Sequence, residues 1–419
     1  MKFLHAADVH LGYNQYNDKE RYNDFGRAFL SMIDAALAAR VDFVLLAGDL
    51  FHERDLDPRT LLQAVSGLRK LQDQGVPVLT VEGNHERPHW NDAFSWLDYL
   101  AQIGLIINLS PWYEHDEMIV APWSADTHRG AYYDLSCGAR VYGCRYYGAS
   151  TARILEELGR QVALRDDHSA YTILVLHAGV EGVLPEFSGG LTHAQLAPLR
   201  PLVDYVALGH IHMPFEHNGW LYNPGSLETN SMQEARWPDR GYFVVDVDPA
   251  TRTHSARLVR GARRAFVRVE CNISGIHTPA EVMDKASQLL ATEAARERVD
   301  KPVVELVLKG SLAFASADLP LEPLRLKAQA AFDALLARVQ NLTSPPEWEV
   351  AAPEDISRVE LERCVLQQLI ERDERRRARS DVWAGVALRL KDMALHREPP
   401  ERIIAEAYDL VADLAEEMS

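Results

Sequence analysis

Five short groups of candidate metal ligands occur in the first half of this chain, and each follows an apolar run that is typical of a β-strand. The groups offer carboxylate, amide and imidazole side chains and no thiolate. Ligands in open α/β sheets bind where strands end in loops, so the groups predict one shared site at such an edge. The five groups are Asp8-Val9-His10, Gly48-Asp49-Leu50-Phe51-His52, Gly83-Asn84-His85-Glu86, His177 and Gly209-His210-Ile211-His212.

The same half of the chain alternates apolar runs with amphipathic stretches. This βαβ rhythm predicts right-handed crossovers and a largely parallel sheet, and therefore an α/β fold. The predicted strands are residues 1–7, 41–47, 77–81, 171–176, 203–208 and 241–247, and the predicted helices are residues 23–40, 58–74 and 91–103.

The ligand pattern stops near residue 250, and 419 residues exceed one ordinary domain. A strand at 264–273, a helix that begins at the capping box of 278–281, a strand at 301–308 and a helix at 324–339 predict a small α+β domain. Further helices are predicted at 356–377, 382–396 and 401–418. The predicted domains are residues 1–260 and 261–342, followed by a linker at 343–353 and a helical region at 354–419.

The bulk composition limits the classes of function. A formal net charge of −17 argues against a protein that passively coats DNA, because phosphate contacts dominate duplex binding. It leaves room for an enzyme with a local positive cleft to which bound metals contribute. No apolar run approaches the roughly 20 residues of a membrane helix. The four cysteines form no Cys-x-x-Cys pair, which indicates reduced thiols in a cytoplasmic protein. If the source is prokaryotic and the protein acts on DNA, we expect it to be nucleoid-associated.

The side chains within the groups suit a pair of cations. Asp8 and His10 are two residues apart, so both can lie on one face if the strand continues. The two oxygens of Asp49 can bridge two ions, and His210 and His212 repeat the two-residue spacing. Any one of these would be an ordinary surface or capping residue, but five groups in order at strand ends are not explained that way.

The order and spacing of the groups resemble those of the calcineurin-like metallophosphoesterases. Within them, Gly48-Asp49-Leu50-Phe51-His52 resembles the Mre11/SbcD DNA-repair nucleases rather than the Gly-Asp-x-x-Asp-Arg-Gly segment of protein phosphatases. The resemblance implies an α/β metallophosphoesterase sheet sandwich flanked by helices. It also implies that residues 261–342 form a small α+β capping domain and that 354–419 form a C-terminal helical appendage.

Carried over residue by residue, the resemblance implies two divalent metal sites that share one carboxylate. Manganese is the expected ion, and magnesium is possible. The first site would take Asp8, His10, Asp49 and His212, and the second would take Asp49, Asn84, His177 and His210.

The resemblance also gives roles to two histidines that do not ligate metal. His85 would assist departure of the leaving oxygen, and His52 would help to place the substrate phosphate or sugar. Glu86 is a departure, because many family members carry aspartate there. The acidic character is kept, so we expect metal binding to be unaffected.

Partners follow from the same resemblance and from local composition. Apolar stripes at Leu61, Leu62, Val65, Leu68 and Leu71, and at Phe94, Leu97 and Leu100, read in isolation as core, but the corresponding family helices pair two subunits, so a homodimer is expected. The C-terminal helices match in position a region that binds a Rad50/SbcC-type SMC ATPase. Aromatic and basic residues beside the ligand loops are candidate DNA contacts: Tyr13, Asn14, Tyr16, Lys19, Arg21, Arg54, Arg59, Arg87 and Trp90.

The first hypothesis is a dinuclear-metal DNA nuclease in double-strand break repair. It would act as a 3′–5′ exonuclease on duplex ends and as an endonuclease on single strands or hairpins. The alternatives are a small-substrate phosphodiesterase or protein phosphatase on the same metal core, and a scaffold that binds DNA ends without relying on catalysis.

Overall fold

The computed structural model describes residues 1–87, 94–167, 169–183, 189–344, 357–371, 376–396 and 398–416. The chain divides into two compact units, and all five groups of candidate ligands lie in the first. The first unit comprises Met1–Arg268, Val299–Val303 and Asp333–Leu336, and the second comprises Val269–Arg298, Val304–Phe332 and Ala337–Ser419.

The described part of the first unit contains two six-stranded sheets and a two-stranded hairpin. Its strands are β1 (Lys2–Ala6), β2 (Phe43–Leu46), β3 (Val78–Thr80), β4 (Ile107–Asn108), β5 (Trp112–Glu114), β6 (Glu117–Ile119), β7 (Tyr132–Asp134), β8 (Ala139–Cys144), β9 (Tyr171–His177), β10 (Tyr205–Gly209), β11 (Phe215–His217), β12 (Leu221–Asn223), β13 (Gly241–Asp248) and β14 (Thr253–Arg260). The order is β14-β13-β1-β2-β3-β4 in one sheet and β11-β12-β10-β9-β8-β7 in the other, and β5 pairs with β6.

Both sheets are parallel where the ligands lie. Strands β1 to β4 pair in parallel, as do β8, β9, β10 and β12. The register places Gly209 opposite His177, so β9 and β10 end side by side. Antiparallel strands β13 and β14 border the first sheet, and β7 and β11 border the second. Parallel pairing therefore brings the ligand-bearing loops to a common edge in each sheet.

Helices cover the outer faces of the two sheets. Alternation along β1 sends Phe3 into the core between the sheets and Leu4 towards the helices. Leu4 belongs to a core with α1, α2 and α3, whereas α4 and α5 pack on the second sheet. The side chain of Asp18 caps the first turn of α1, and that of Asp57 caps α2. The helices are α1 (Lys19–Ala39), α2 (Pro58–Asp73), α3 (Trp96–Gln102), α4 (Thr151–Ala163) and α5 (His193–Leu196).

The second unit is dominated by a three-stranded sheet and helices. The sheet has the order β15-β16-β17, with β15 (Phe266–Asn272), β16 (Val303–Ser311) and β17 (Leu336–Ser344). Helix α6 packs against α7, α8 against α9, and α9 against α10. These helices are α6 (Pro279–Arg296), α7 (Leu321–Phe332), α8 (Arg358–Ile370), α9 (Ser380–Leu395) and α10 (Pro400–Glu416).

The α/β class and the predicted strands of the first half are confirmed, but one predicted helix is wrong. The helix expected at 324–339 ends at Phe332, where Asp333 has a left-handed φ of 46°, and β17 begins at Leu336. Residues 343–344 of the predicted linker belong to β17, and 345–353 lie outside the described residues, as do 91–93 of a predicted helix. The domain boundaries at 260 and 342 stay predictions.

None of the described helices combines the length and the apolar character needed to cross a bilayer.

Candidate metal centre

Four of the predicted ligands have a positive φ angle, a backbone conformation that residues other than glycine seldom adopt. The φ angles are 51° for Asp8, 53° for His10, 52° for Asp49 and 87° for His210. Such conformations cost on the order of 1–3 kcal/mol each and cluster at functional sites. Neighbouring turns hold them: the Asp8 N–H donates to the Gly48 carbonyl at 3.1 Å, and the His10 N–H donates to the Asp49 carbonyl at 3.0 Å.

One set of side chains matches the first predicted metal site. Asp8, His10 and His212 offer ligand atoms that lie within 4.8 Å of one another. The Nε2 atoms of His10 and His212 are 3.1 Å apart, and His10 Nε2 is 3.9 Å from Asp49 Oδ2. The Asp8 carboxylate is fully buried and accepts from the backbone N–H of His210 at 3.0 and 3.1 Å. The structure therefore brings all four side chains together.

A second set, which includes the same aspartate, matches the second predicted site. Asn84 Oδ1 is 3.0 Å from His177 Nε2 and 2.8 Å from His210 Nδ1. His177 Nε2 is also 3.2 Å from Asp49 Oδ2. Asp49 thus lies between the two sets, where its carboxylate can serve both.

The hydrogen bonding of His177 shows that this donor set fits a cation. Its Nδ1 is 2.8 Å from the carbonyl of Ala47, which can only accept, so Nδ1 carries a proton. In the neutral ring Nε2 then has a lone pair, and it faces oxygens of Asn84 and Asp49 at 3.0 and 3.2 Å. Converging lone pairs repel one another unless a cation or a proton lies among them. The residues present therefore fit divalent metal ions.

The pKa values of the candidate ligands in the metal-free protein reflect how closely these side chains are packed. Burial alone would lower the pKa of His177, but the Asp49 carboxylate beside it raises that pKa to about 9. Burial would raise the pKa of Asp49, but the surrounding histidines, His177 first, hold it well below its usual range. Burial lowers the pKa of His210 to about 4 and that of His10 well below its usual value. Neutral His10 and His210 beside ionised Asp49 are in the protonation states that metal ligation requires, whereas a metal ion must displace the proton that His177 gains.

His52 and His85 are partly exposed and lie beside His10, with ring nitrogens within 4.8 Å of one another. The His85 Nδ1–H donates to the carbonyl of His52, and His85 Nε2 is 4.0 Å from Asp49 Oδ2. About a third of the His85 side chain is exposed. His52 stacks on Tyr13 with ring centroids 3.8 Å apart, and burial lowers its pKa to about 4. Both rings are therefore held in place, and both are partly exposed to solvent.

Sequence reasoning missed the structural roles of two buried carboxylates. Glu86 accepts from the backbone N–H groups of Asp49 at 3.0 Å, Phe51 at 2.9 Å and Gly83 at 2.8 Å. Glu234 Oε1 is 2.8 Å from His212 Nδ1. Glu86 stands in one of the five ligand groups, so the sequence marked it as part of the site. The sequence did not show that Glu86 accepts hydrogen bonds from the backbone of two ligand loops. Glu234 follows His212 by 22 residues and carries no motif that could have revealed it.

Two glycines allow the loops to approach closely. A Cβ on Gly83 would lie 2.0 Å from Asp49 Oδ1, and a Cβ on Gly209 would lie 2.1 Å from the carbonyl oxygen of Ala47. Real Cβ atoms do not approach so closely, so a side chain at either position would push the ligand loops apart. The glycines of the sequence groups are thus part of the site's geometry.

Most predicted DNA-contact residues that the structure describes lie near the surface. Tyr13 and Tyr16 are half-buried, and Trp90 lies outside the described residues. The exposed members are Asn14, Lys19, Arg54, Arg59 and Arg87.

Arg21 is the exception, and a DNA-contact role for it does not fit its position. Its side chain is fully buried and donates to Gln15 at 2.8 Å, Asp24 at 2.5 Å and Glu228 at 3.2 Å. Its sequence position beside aromatic and basic neighbours indicated a surface loop, whereas residue 21 lies in the first turn of α1 and faces inward. Arg21 therefore joins elements of the interior.

The apolar stripes proposed for dimerisation are mainly core. Leu68, Leu71, Leu97 and Leu100 are fully buried, and Leu61 and Val65 pack against the same core. Leu62 and Phe94 remain 63% and 44% exposed, which leaves two apolar side chains for an interface.

Comparisons with known proteins agree with this geometry. The family model of the calcineurin-like phosphoesterases matches residues 1–214. The DNA double-strand break repair protein Mre11 of Archaeoglobus fulgidus is 32% identical over 240 residues, which are 56% of this chain and 52% of that protein. Mre11 of Haloferax volcanii is 32% identical over 274 residues, 64% of this chain and 54% of that protein. The chain thus spans about half the length of these two relatives.

A third relative aligns over nearly the whole chain. Mre11 of Halobacterium salinarum is 30% identical over 99% of this chain and 96% of its own length. The chain therefore belongs to the calcineurin-like phosphoesterase family and, within it, to the Mre11-type proteins.

Proposed function

We propose that this protein is a dinuclear-metal DNA nuclease that hydrolyses phosphodiester bonds during double-strand break repair. It acts as a 3′–5′ exonuclease on duplex ends and as an endonuclease on single strands or hairpins. The observation that carries the proposal is the convergence of two carboxylates, an amide and four imidazoles on one buried cluster. The near full-length similarity to a protein named as a DNA double-strand break repair protein supports DNA as the substrate.

The seven side chains divide between two ions, and manganese suits their oxygen- and nitrogen-rich shell. Two such cations would supply Lewis-acid activation of the phosphodiester and of a water nucleophile. The first ion would be held by Asp8, His10, Asp49 and His212, and the second by Asp49, Asn84, His177 and His210.

His85 and His52 act on the substrate rather than on the ions. His85 keeps its Nδ1–H on the carbonyl of His52, and its Nε2 faces Asp49 Oδ2 at 4.0 Å. When the ring carries a second proton on Nε2, it gives that proton to the leaving oxygen and becomes neutral. His52, stacked on Tyr13, places the phosphate or sugar beside it. Both side chains are partly open to solvent, which supports access by a strand of DNA.

DNA contacts come from exposed residues in the loops beside the ligands, namely Asn14, Lys19, Arg54, Arg59 and Arg87, together with half-buried Tyr13 and Tyr16. The lysine and the three arginines among them offset part of the chain's net charge of −17 where DNA approaches. Trp90 keeps its predicted contact role from sequence alone.

The proposed complex contains two copies of this chain and a Rad50/SbcC-type ATPase. The 63% exposure of Leu62 in the apolar stripe of α2 supports pairing through this helix. The C-terminal helices bind the ATPase, and exposed Ile404 and Tyr408 of α10 support this. Truncation after residue 353 should abolish capture of the ATPase from the same organism, and undiminished capture would contradict the role of the helices.

Cleavage of end-labelled duplex DNA with Mn²⁺ tests the nuclease directly. We expect metal-dependent shortening from 3′ ends by the wild type and a loss of about 10²- to 10⁴-fold in the His85→Ala variant. Mn²⁺ affinity should be unchanged in that variant, because His85 is not a ligand. Faster turnover of cyclic nucleotides or phosphopeptides than of DNA would favour the small-substrate alternative instead.

A further inference from the structure

The ring nitrogen of His212 that does not face His10, Nδ1, has a carboxylate partner that is not itself a predicted metal ligand. His212 Nδ1 is 2.8 Å from Glu234 Oε1, and its Nε2 faces His10 Nε2 at 3.1 Å. An ionised carboxylate only accepts hydrogen bonds, so Nδ1 carries the proton. The Nε2 lone pair is then directed at the predicted first metal site. Glu234 thus selects the tautomer of His212 that can ligate.

Glu234 is itself held so firmly that it can orient the ring. It lies in a short 3₁₀ helix, Met232–Arg236, and is 5% exposed. Its other oxygen, Oε2, accepts from the backbone N–H of Asn230 at 2.9 Å and from the guanidinium of Arg240. Arg240 is 1% exposed and also donates to Ser226 Oγ and Thr229 Oγ1, both at 2.8 Å. Oε1 faces His212 and also accepts a long hydrogen bond from Ser231 Oγ at 3.5 Å.

The segment 226–234 also bonds to the loop that follows His10. The Asn230 carbonyl accepts from Gln15 Nε2 at 2.7 Å. The Thr229 carbonyl accepts from buried Arg21 at 3.0 Å. One short segment thus contacts both the ring of His212 and the chain just beyond His10, although the two ligands are 202 residues apart.

We propose that Glu234, held in place by segment 226–234, is a positioning residue for the first metal. Carboxylate partners of ligating histidines fix ring orientation and raise the basicity of the ligating nitrogen. The inference rests on the proposed metal centre and extends it to residues that do not touch the ion. A buried ion pair alone could serve stability only, but stability does not require Oε1 to face the far side of a ligand ring.

Calorimetric titration of Mn²⁺ into the metal-free protein provides the test. In Glu234→Gln, we expect one of the two binding events to weaken by about 10–100-fold while the other stays unchanged. DNA cleavage by the variant should recover as Mn²⁺ is raised, which a purely structural role would not produce. Glu156→Gln is the matched control, since Glu156 is 73% exposed on α4, and it should bind as the wild type does.

Removing the charge of Glu234 leaves Arg240 buried without its partner, so the single variant can lose stability. The double variant Glu234→Gln/Arg240→Met removes that orphaned charge and should show the same weakened binding event. If either folded variant binds both ions with wild-type affinity, the positioning role is wrong. If the wild type itself binds no divalent cation, the proposed metal centre fails, which is a separate outcome.

Discussion

The carboxylate of Glu86 accepts a hydrogen bond from the backbone N–H of Asp49 at 3.0 Å, and this contact ties two ligand loops together. The same carboxylate accepts from Phe51 in the loop after β2 and from Gly83 in the loop after β3. Asp49 and Asn84 are thereby presented to the same point. A side chain that touches none of the candidate ligand atoms thus fixes the spacing of the centre.

Truncation of Glu86 should consequently damage both stability and metal binding. Glu86→Ala leaves three buried N–H groups without an acceptor, and we expect a loss of about 3 kcal/mol or more in the free energy of unfolding. Urea denaturation of the metal-free protein measures this loss. Glu297→Ala, which alters an exposed glutamate at the end of α6, is the control. Equal stability of the two variants would show that the Glu86 contacts are unimportant.

Enlarging Gly83 should disturb the shared ligand. The new Cβ in Gly83→Ala would meet Asp49 Oδ1 at 2.0 Å, so the carboxylate must move. We expect binding of both ions to weaken, measured by Mn²⁺ titration. Gly385→Ala in helix α9 is the matched control. The nearest atom of another element to its new Cβ would be Arg363 Nη2 at 3.9 Å, so the substitution should stabilise the chain by about 0.5–1 kcal/mol. Wild-type Mn²⁺ binding by Gly83→Ala would contradict the predicted geometry.

The protonation of His177 predicts opposite pH trends for stability and metal affinity. Its pKa in the metal-free protein is raised from 6.5 to about 9 because Asp49 overcomes the effect of burial. The stability gained from the charged ring is full below pH 6.5 and is lost as pH rises through about 9. Mn²⁺ must displace that proton, so its affinity should rise over the same interval.

Calorimetry in two buffers of different ionisation enthalpy would count the protons released. We expect release on Mn²⁺ binding that declines as the pH approaches 9. An affinity that is flat over this interval, with no proton release, would contradict the assignment of His177 as a ligand.

Two arginines among the predicted DNA contacts, Arg21 and Arg59, should behave differently when neutralised. Arg21→Met breaks a buried network with Asp24 and Glu228, so we expect about 3–5 kcal/mol of lost stability. Arg59→Met alters an exposed residue, so stability should be unchanged and the salt dependence of DNA affinity should fall by about one phosphate contact. Chemical denaturation and DNA binding at several salt concentrations separate the two effects. An unstable Arg59 variant, or a stable Arg21 variant, would reverse the assignment.

The sequence predicted the candidate metal ligands better than it predicted the residues that hold those ligands in place. Each ligand follows a buried strand, and parallel pairing brings such strand ends together, so the convergence of Asp8, Asp49 and His177 could be inferred before any coordinates. The partners of those ligands could not be inferred. Glu234 contacts His212 only because segment 226–234 lies against the loop that carries His212. No periodic pattern in the sequence predicts that packing.

The errors have similar physical causes. The apolar residues after Phe332 fit a helix as well as a strand, and the left-handed turn at Asp333 decides between them. Arg21 was expected in a DNA-contacting loop because aromatic and basic residues surround it in the sequence. It instead pairs with Asp24 of its own helix and with Glu228, which is 207 residues away. Long-range pairing of charges is information that a local sequence pattern does not contain.

Anomalous diffraction from crystals soaked in Mn²⁺ tests the two-ion centre most directly. The account predicts two peaks, one among Asp8, His10 and His212 and the other among Asn84, His177 and His210, with Asp49 contacting both. A single peak, or peaks away from these side chains, would contradict it.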